Sequence, residues 1–177
     1  MELNFSLMKT EKRYSMIENE KKEEAFFGAG CFWGVEEFFR ILPGVIETEV
    51  GYMGGDKENP TYSDVCTGKT GHAEVVRLLF DNTQISYKDL VSKFWKIHDP
   101  TTVNQQGPDI GHQYRSVIFF KTPKQELEAK KSKENIEKSG ILKNQIVTEI
   151  IPSGKFYKAE EYHQKYLLKN GLSACHF

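Results

Sequence analysis

Short segments of strand length alternate along this chain with segments of helical periodicity, and this alternation limits the folds available to it. The strand-like segments are too short and too scattered for a doubly wound parallel sheet. At 177 residues the chain is long enough for one compact domain but too short for two comfortable ones. We therefore expect an α+β domain in which helices pack on one mixed sheet.

The expected elements follow from apolar periodicity and from residues that begin or end helices. Apolar runs or alternating patterns of strand length occupy residues 25–30, 45–52, 74–80, 116–120 and 146–151. Helical periodicity or capping residues mark residues 35–42, 86–95, 122–140 and 157–170. Residues 99–114 carry two prolines and two glycines, so we expect a long loop there.

Charge and hydropathy patterning argue against several classes of protein. The 24 basic and 25 acidic residues nearly cancel, which argues against a nucleic-acid partner. No apolar run approaches the roughly 18 residues of a membrane span. Residues 1–19 also lack the apolar stretch of a secretory signal. We therefore expect a cytoplasmic protein without nucleic-acid or membrane partners.

The two ends of the chain differ from its middle. Residues 1–22 are polar and end in a lysine- and glutamate-rich run, which predicts a flexible N-terminal extension. The chain contains no repeat or linker that would split the rest of it. We expect residues 23–177 to form a single domain that ends in a short mobile C-terminal tail.

The chain has three cysteines, Cys31, Cys66 and Cys175, and they form no CxxC pair. A secreted domain held together by disulfides would usually have more of them, in an even number. A buried, unreactive thiol is the ordinary interpretation of any single cysteine, so only its local context can assign it a role. The histidines show no spacing typical of a metal site, and we expect neither a metal nor a cofactor.

Cys31 lies where the first predicted strand becomes the first predicted helix. Backbone N–H groups at a helix start favour an anion, so we expect the pKa of this thiol to be lowered towards neutrality. Gly28 and Gly30 would let the backbone turn tightly and leave the sulfur accessible. The same glycines could begin a dinucleotide-binding motif, but Trp33 occupies the position of its third glycine. Cys31 is therefore a candidate nucleophile.

Two aromatic residues, Phe32 and Trp33, stand beside this thiol in the first turn of the predicted helix. Val35 and Phe38 define the side of the helix that faces the core, and both large aromatic side chains cannot point into it. At least one of them should line the mouth of the site. Because thioether and sulfoxide methyl groups pack well on aromatic rings, this arrangement suits a methionine-like substrate.

Glu74 is the candidate acid. The alternation of its strand places Glu74 on the same face as the apolar residues Val76 and Phe80. Burial there would raise the pKa of the carboxyl, which could then donate a proton at neutral pH. A solvated carboxyl at the open end of the strand is equally compatible with the pattern. Tyr62 and Tyr114 lie in loops rich in glycine and proline, where they could bind a ligand or simply pack.

Four motifs together resemble the class A peptide methionine sulfoxide reductases, which act on the S epimer at sulfur. The motifs are GCFWG at 30–34, PTY and VCTG within 60–68, TGHAE at 70–74, and GHQYRS at 111–116. The first is specific when the others follow it in order, and the resemblance covers about residues 23–168. It implies a ferredoxin-like two-layer sandwich, a mixed sheet with helices packed on it plus extra loops. It also makes residues 23–177 a single catalytic domain.

The resemblance implies chemical roles for Cys31 and for the polar groups around it. Cys31 is similar to the nucleophile that attacks the sulfoxide sulfur, and Glu74 is similar to the acid that protonates the sulfoxide oxygen. Tyr62 and Tyr114 look like tyrosines that assist this acid with hydrogen bonds. These roles fit together chemically, since removing oxygen from sulfur requires protonation of that oxygen.

The same resemblance implies how the substrate is held. Phe32 and Trp33 look like the cage for the substrate methyl group, and Asp109 is similar to an acidic residue that contributes to the pocket. The implied substrates are oxidised proteins or peptides and free methionine sulfoxide. We expect the enzyme to act as a monomer.

Restoring the nucleophile requires a reductant. Attack on a sulfoxide would leave a sulfenic acid on Cys31, and a second cysteine could convert it to a disulfide that thioredoxin reduces. Family members often carry this resolving cysteine in a C-terminal tail, which favours Cys175 over Cys66. Two alternatives stay open: a one-cysteine reductase that uses an external thiol, and a non-catalytic module that binds methionine or its sulfoxide.

Overall fold

The computed structural model describes residues 21–172, and a six-stranded mixed sheet lies at its centre. The strands in chain order are β1 (Lys22–Ala29), β2 (Val45–Met53), β3 (Ala73–Asp81), β4 (Gln105–Gln106), β5 (Asp109–Ile110), β6 (Ser116–Phe120), β7 (Glu149–Pro152) and β8 (Tyr157–Lys158). The order across the sheet is β7-β6-β1-β3-β2-β8, while β4 and β5 form a separate hairpin. Neighbouring strands are antiparallel except for β6 and β7.

The helices connect these strands. They are α1 (Phe32–Arg40), α2 (Tyr62–Cys66), α3 (Tyr87–Phe94), α4 (Pro123–Ser139) and α5 (Tyr166–Lys169), with short 3-10 helices at His112–Tyr114 and Glu161–His163. No helix within residues 21–172 is long and apolar enough to cross a membrane.

The four central strands have the ferredoxin-like order β6-β1-β3-β2, with α1 following β1 and α3 following β3. Helices on one face of a mostly antiparallel sheet are an α+β arrangement. The predicted fold class is therefore confirmed, and β7 and β8 extend the sheet at its two edges.

The main core lies between the sheet and helices α1 and α3. Phe27 of β1 stacks on Phe39 of α1 with ring centroids 5.3 Å apart, and it meets Phe94 of α3 at the same separation. All three side chains are fully buried, and burying an aromatic or aliphatic side chain of this size stabilises the fold by about 1.5–3 kcal/mol. This packing holds α1 against the middle of the sheet.

The alternation predicted for the third strand is confirmed. Val76 and Phe80 belong to the core beneath the helices, whereas Val75 packs in a smaller cluster on the opposite face. Arg77 also points to that opposite face, where it forms ion pairs with carboxylates. Glu74 consequently shares the face on which α1 lies.

Several predicted boundaries hold. The side chain of Ser86 accepts from the backbone N–H of Asp89, and the Asp89 side chain accepts in return, so a capping box begins α3. Gly140 ends α4 in the left-handed conformation at φ 67°. The predicted extension, residues 1–22, lies outside the described residues apart from its last two positions, and β1 begins at Lys22.

The single helix predicted for residues 157–170 is wrong. The segment is broken into β8, a 3-10 helix and α5, and Lys165 adopts the left-handed conformation at φ 52°. The backbone N–H of Ala159 and the side-chain amide of Gln164 both bind the backbone of Val50 in β2. Tertiary hydrogen bonds to the sheet therefore override the helical pattern.

Three smaller differences separate the structure from the predicted elements. The strand predicted for residues 146–151 corresponds to β7, which begins at Glu149 rather than at position 146. The predicted loop 99–114 contains the hairpin of β4 and β5. The glycine-rich loop after β2 contains α2, which starts with a capping box between Thr61 and Asp64. That Thr-x-x-Asp spacing is the local signal that could have predicted α2.

Candidate active site

Cys31 lies at the junction of β1 and α1, where it is the N-cap residue of the helix. The preceding Gly30 has φ +91°, and a Cβ atom there would come within 2.8 Å of the Gln106 side chain. Both the conformation and the close approach of the β4–β5 hairpin therefore require glycine at this position. The Cys31 side chain is a free thiol and is partly exposed, so a substrate can reach it.

The pKa predicted for the Cys31 thiol is wrong in direction. Backbone N–H groups of Trp33 and Gly34 favour the thiolate, but burial of the sulfur and the nearby Glu74 carboxylate outweigh them. Asp109 adds to the same effect, and together these raise the pKa of the thiol to about 12. The resting nucleophile therefore keeps its proton at neutral pH.

Glu74 lies at the start of β3, directly beneath the first turn of α1. The strand pattern was compatible with either a buried or a solvated carboxyl. Glu74 is only 2% exposed, so the carboxyl is buried. Its Oε2 accepts a hydrogen bond of 3.0 Å from the backbone N–H of Phe32. Burial and, to a smaller extent, the charge of Asp109 raise the pKa of Glu74 to about 8, against the opposing effect of the Phe32 bond. Glu74 therefore carries a proton at pH 7.

The two tyrosines singled out from the sequence both interact with this acid. Burial raises the pKa of Tyr114 to about 12, and the charges of Glu74 and Asp109 act in the same direction. Burial likewise raises the pKa of Tyr62, as do a side-chain hydrogen bond with Cys66 and the charge of Glu74. Both phenols therefore stay protonated at neutral pH and can donate hydrogen bonds.

The two aromatic residues after Cys31 have different surroundings. Phe32 is 1% exposed and packs against the rings of Tyr52 and His163, at 6.0 and 5.1 Å. Trp33 is only partly buried and stacks on Tyr166 at 3.8 Å, with an angle of 10° between the rings. Trp33 is therefore the more exposed of the two rings.

The structure thus brings together most of the predicted site residues. Asp109 of β5 acts electrostatically on Cys31, Glu74 and Tyr114, so the hairpin contributes its charge to the site. Cys66, at the end of α2, is exposed. Cys175 lies outside the described residues.

No sequence pattern indicated the contribution made by the C-terminal segment 159–166. Glu160 accepts hydrogen bonds of 2.9 Å from the hydroxyl of Tyr52 and from the backbone N–H of Tyr62. His163 accepts one of 3.0 Å from the indole N–H of Trp33. Because these partners are about a hundred residues apart along the chain, no local spacing could have indicated the contacts.

The site contains carboxyl groups, phenols, aromatic rings and a thiol. These groups suit proton transfer to a substrate oxygen together with nucleophilic attack by sulfur. Across residues 21–172, no group of three or more His, Cys, Asp or Glu side chains is arranged to hold a metal ion.

Comparison with known proteins gives the same picture from an independent direction. A family model described as peptide methionine sulfoxide reductase matches residues 23–177. The chain is similar to the peptide methionine sulfoxide reductase MsrA of Methanoculleus marisnigri, with 59% identity over 160 residues. That alignment covers 90% of this chain and 98% of the relative.

The structure is also similar to solved structures of Mxr1 from Saccharomyces cerevisiae. The reduced form aligns with a TM-score of 0.82 and 37% identity, and it covers 89% of this chain and 90% of that one. Mxr1 in complex with Trx2 aligns with a TM-score of 0.60 and 25% identity, over the same shares of the two chains.

Proposed function

The chain belongs to the peptide methionine sulfoxide reductase family, and we propose that its Cys31 site reduces the S epimer of methionine sulfoxide to methionine. It is a methionine sulfoxide reductase of class A. The observation that carries the proposal for the site is the buried Glu74 carboxyl, bound to the backbone N–H of Phe32 beneath the helix turn that begins at Cys31. It supplies a buried acid next to a nucleophile, which is what sulfoxide reduction requires.

In the first step, the Cys31 sulfur attacks the sulfoxide sulfur while Glu74 gives its proton to the sulfoxide oxygen. The thiol proton passes to the Glu74 carboxylate, which restores the acid. The S–S bond formed by this attack and the S–O bond of the substrate then break as the oxygen becomes bonded to the Cys31 sulfur, which leaves a sulfenic acid on Cys31 and a free thioether. The substrate sulfur is reduced by two electrons to a thioether, and the Cys31 sulfur is oxidised by two.

This coupling explains how a thiol with a raised pKa can act as a nucleophile. Two negative charges, on Cys31 and Glu74, would repel each other in the same buried site. When the oxygen takes the Glu74 proton, the carboxylate left behind becomes the base for the thiol. The thiolate therefore forms only as the acid is consumed, since the Glu74 proton goes to the substrate oxygen and the thiol proton replaces it on Glu74.

We assign the two tyrosines to the substrate oxygen. Tyr62 and Tyr114 are protonated phenols near Glu74, and hydrogen bonds from them would stabilise the charge that develops on that oxygen. Asp109 acts on both reacting groups through its charge, since it raises the pKa of Cys31 and of Glu74. It thereby helps to keep both protons in place until substrate is bound.

We assign Phe32 and Trp33 to the substrate methyl group. Phe32 is held by its own backbone hydrogen bond to Glu74, so its ring lies close to the acid. The indole of Trp33 lies at the outer side of the same turn. A methyl group on sulfur would pack against these rings while its oxygen points towards Glu74.

For recycling, we propose that Cys175 attacks the Cys31 sulfenic acid. This step forms the Cys31–Cys175 disulfide and releases water, and the dithiol of a thioredoxin then reduces the disulfide. The structure of Mxr1 with Trx2 supports thioredoxin as the reductant. Such a cycle fits a monomer in the reducing environment of the cytoplasm.

A single experiment tests reaction, stereochemistry and recycling together. The two sulfoxide epimers are mixed with the reduced enzyme, and free thiols are counted before and after. Without reductant, we expect one equivalent of methionine from the S epimer alone and the loss of two thiols per enzyme. A Cys31→Ser control should form no methionine. A module that only binds methionine would form none in either variant, and that outcome would refute the proposal.

The Cys175→Ser variant separates the two recycling schemes. We expect it to form its first equivalent of methionine at the normal rate and to lose turnover with thioredoxin. Turnover that survives intact would assign recycling to an external thiol acting on Cys31 alone, or to Cys66. The matched variant Cys66→Ser distinguishes these two, since only the second scheme predicts that it loses turnover.

A further inference from the structure

The β4–β5 hairpin carries Asp109 but has little pairing of its own. Its ladder consists of two residue pairs, Gln105 with Ile110 and Gln106 with Asp109. A two-stranded hairpin of this length is not stable by itself in water. The hairpin must therefore be fixed by the rest of the domain if the Asp109 carboxylate is to keep a constant position.

The side-chain amide of Gln106 provides such an attachment, because it binds both backbone groups of Asp99. Its Oε1 accepts a hydrogen bond of 3.0 Å from the Asp99 N–H. Its Nε2 donates to the Asp99 carbonyl at 2.6 Å and to the Thr102 hydroxyl at 3.1 Å. The amide thus pairs with one residue's backbone much as a neighbouring strand would. An apolar side chain of the same length could not do so.

Asp99 is a firm point of attachment because the preceding residue, His98, is tied to two elements of the core. A carbonyl only accepts, so Nδ1–H of His98 donates to the carbonyl of Phe94 in α3, at 2.9 Å. Its Nε2 then accepts from the Ser116 hydroxyl at 2.7 Å, and Ser116 begins β6 beside β1 in the sheet. The Gln106 amide therefore connects the hairpin to the helix layer and to the sheet.

The aliphatic part of the Gln106 side chain packs where β1 ends. A Cβ atom at Gly30 would lie 2.8 Å from Cβ of Gln106 and 2.9 Å from its Cγ. Residues directly opposite in a ladder project to the same side, so Asp109 shares the face of the hairpin that Gln106 turns towards Gly30. This placement agrees with the charge of Asp109 acting on Cys31 and Glu74.

We propose that Gln106 is a positioning residue that holds the Asp109 carboxylate in place beside Cys31 and Glu74. Its amide fixes the hairpin to Asp99, and its aliphatic part sets how closely the hairpin approaches the start of α1. Gln106 acts through Asp109 and does not contact the substrate. The effect on the reaction rests on the proposed function, whereas the placement of Asp109 is measured on the resting thiol.

The first measurement is the rate at which iodoacetamide alkylates Cys31 at pH 8. When serine replaces Cys66 and Cys175, Cys31 is the one cysteine in the chain. The pKa of its thiol is about 12, so the rate at pH 8 is proportional to the small fraction of thiolate. Asp109→Asn removes a nearby negative charge and should raise this rate by about 2- to 3-fold. An unchanged rate would contradict the proposal, because Asp109 would then not act on the thiol.

In the same background, Gln106→Met removes the amide and keeps the length of the side chain. It should raise the alkylation rate by up to the factor found for Asp109→Asn, because the carboxylate is no longer held beside the thiol. Gln105→Met is the matched control, since Gln105 is exposed on the same strand, and its rate should equal that of the parent. A rate in Gln106→Met equal to that of the parent would overturn the proposal.

A double-mutant cycle shows whether the effect of Gln106 passes through Asp109. In the Asp109→Asn background, Gln106→Met should cause no further increase in the alkylation rate. A loosened hairpin that only made Cys31 more accessible would raise the rate by the same factor in both backgrounds. That outcome would refute a positioning role for Gln106.

Gln106→Asn provides a second variant, which also serves if Gln106→Met does not fold. Asparagine keeps the amide but is one methylene shorter, so it should not reach both backbone groups of Asp99. We expect its alkylation rate to match that of Gln106→Met. A rate equal to that of the parent would show that the attachment to Asp99 does not place the carboxylate.

The pH profile of sulfoxide reduction gives an independent measurement. The charge of Asp109 raises the pKa of Glu74, so a displaced carboxylate should let Glu74 lose its proton at lower pH. In Gln106→Met, the single-turnover rate should be about 3-fold below the wild type at pH 8 and closer to it at pH 6. An equal loss at both pH values would contradict the proposal. A wild type that reduces no sulfoxide would refute the proposed function and leave the alkylation results intact.

Discussion

Two buried glutamates lie at helix α1, Glu36 on the helix itself and Glu74 on β3 beneath its first turn, and their surroundings differ. Glu36 is 1% exposed and its carboxyl accepts hydrogen bonds from the Thr48 hydroxyl at 2.9 Å and the Lys165 backbone N–H at 2.7 Å. Glu74 is 2% exposed and accepts a bond of 3.0 Å from the Phe32 backbone N–H. Burial raises the pKa of both carboxyls.

The difference between the two lies in what opposes burial. For Glu36, bonds from a hydroxyl and a backbone N–H and the charges of Lys165 and Arg40 favour the ionised form. For Glu74, one backbone bond favours ionisation while the charge of Asp109 opposes it. One carboxyl therefore ties the C-terminal segment to β2, and the other is left able to carry a proton and give it away.

Among the differences expected between Glu74 and Glu36 variants, the largest is in the reaction rate. Glu74→Gln keeps the size and a hydrogen-bond donor but removes the transferable proton, so the chemical step should slow by about 10²-fold or more. Single-turnover formation of methionine measures it. Glu36→Gln is the matched control, since it makes the same change at a buried glutamate that takes no part in the proposed reaction, and its rate should stay within about 3-fold of the wild type. An unchanged rate in Glu74→Gln would remove Glu74 from the acid role.

The pH dependence of the rate should follow Glu74. In the proposed mechanism both the acid and the thiol react from their protonated forms, whose pKa values are about 8 and about 12. The single-turnover rate should therefore be level below pH 8 and fall about 10-fold per pH unit above it. A rate that rises towards pH 8 would show that a preformed thiolate reacts, and the coupled proton exchange would then be wrong.

The two glutamates should also differ in what they do for stability. In Glu36→Gln, the amide can offer an acceptor to only one of its two donors, so the free energy of unfolding should fall by about 1–3 kcal/mol. Glu74→Gln removes a carboxyl whose folded pKa lies above its usual value of 4.5. The folded wild type then loses stability as pH rises from about 4.5 through about 8.

Glu74→Gln should accordingly be at least as stable as the wild type at pH 7 and more stable at pH 9. Urea denaturation at both pH values measures these differences. Equal losses of stability in Glu36→Gln and Glu74→Gln would show that the two carboxyls contribute equally to the stability of the fold. That result would contradict the difference inferred between them.

The smallest expected effect is on the Cys31 thiol itself. The Glu74 carboxylate is the second contribution, after burial, to the raised pKa of that thiol. Glu74→Gln should lower it by up to about one unit, whereas Glu36→Gln should leave it unchanged. The pKa of the Cys31 thiol is measured from the rate of its alkylation by iodoacetamide as a function of pH. A thiol that titrates identically in all three proteins would mean that burial alone sets its pKa.

The sequence could predict what depends on neighbouring residues. The strand before Cys31, the helix after it and the side of the sheet on which Glu74 lies all follow from periodicity, and the structure agrees with them. The pKa of Cys31 was predicted in the wrong direction because helix-start N–H groups are local, whereas burial and Glu74 come from the fold. The contacts of His163 and Glu160 with Trp33, Tyr52 and Tyr62 could not be predicted for the same reason.

The side-chain amide of Gln164 has a consequence for how the molecule behaves among other proteins. It donates to the carbonyl of Val50 and accepts from the N–H of the same residue, both at 2.9 Å, next to the two-residue strand β8. The Gln164 side chain thus pairs with the backbone N–H and carbonyl of Val50. An exposed edge strand would offer such unpaired backbone groups to another chain. An enzyme proposed to act on damaged, partly unfolded proteins meets many free strands, and this amide helps to keep its own sheet from recruiting them into an aggregate.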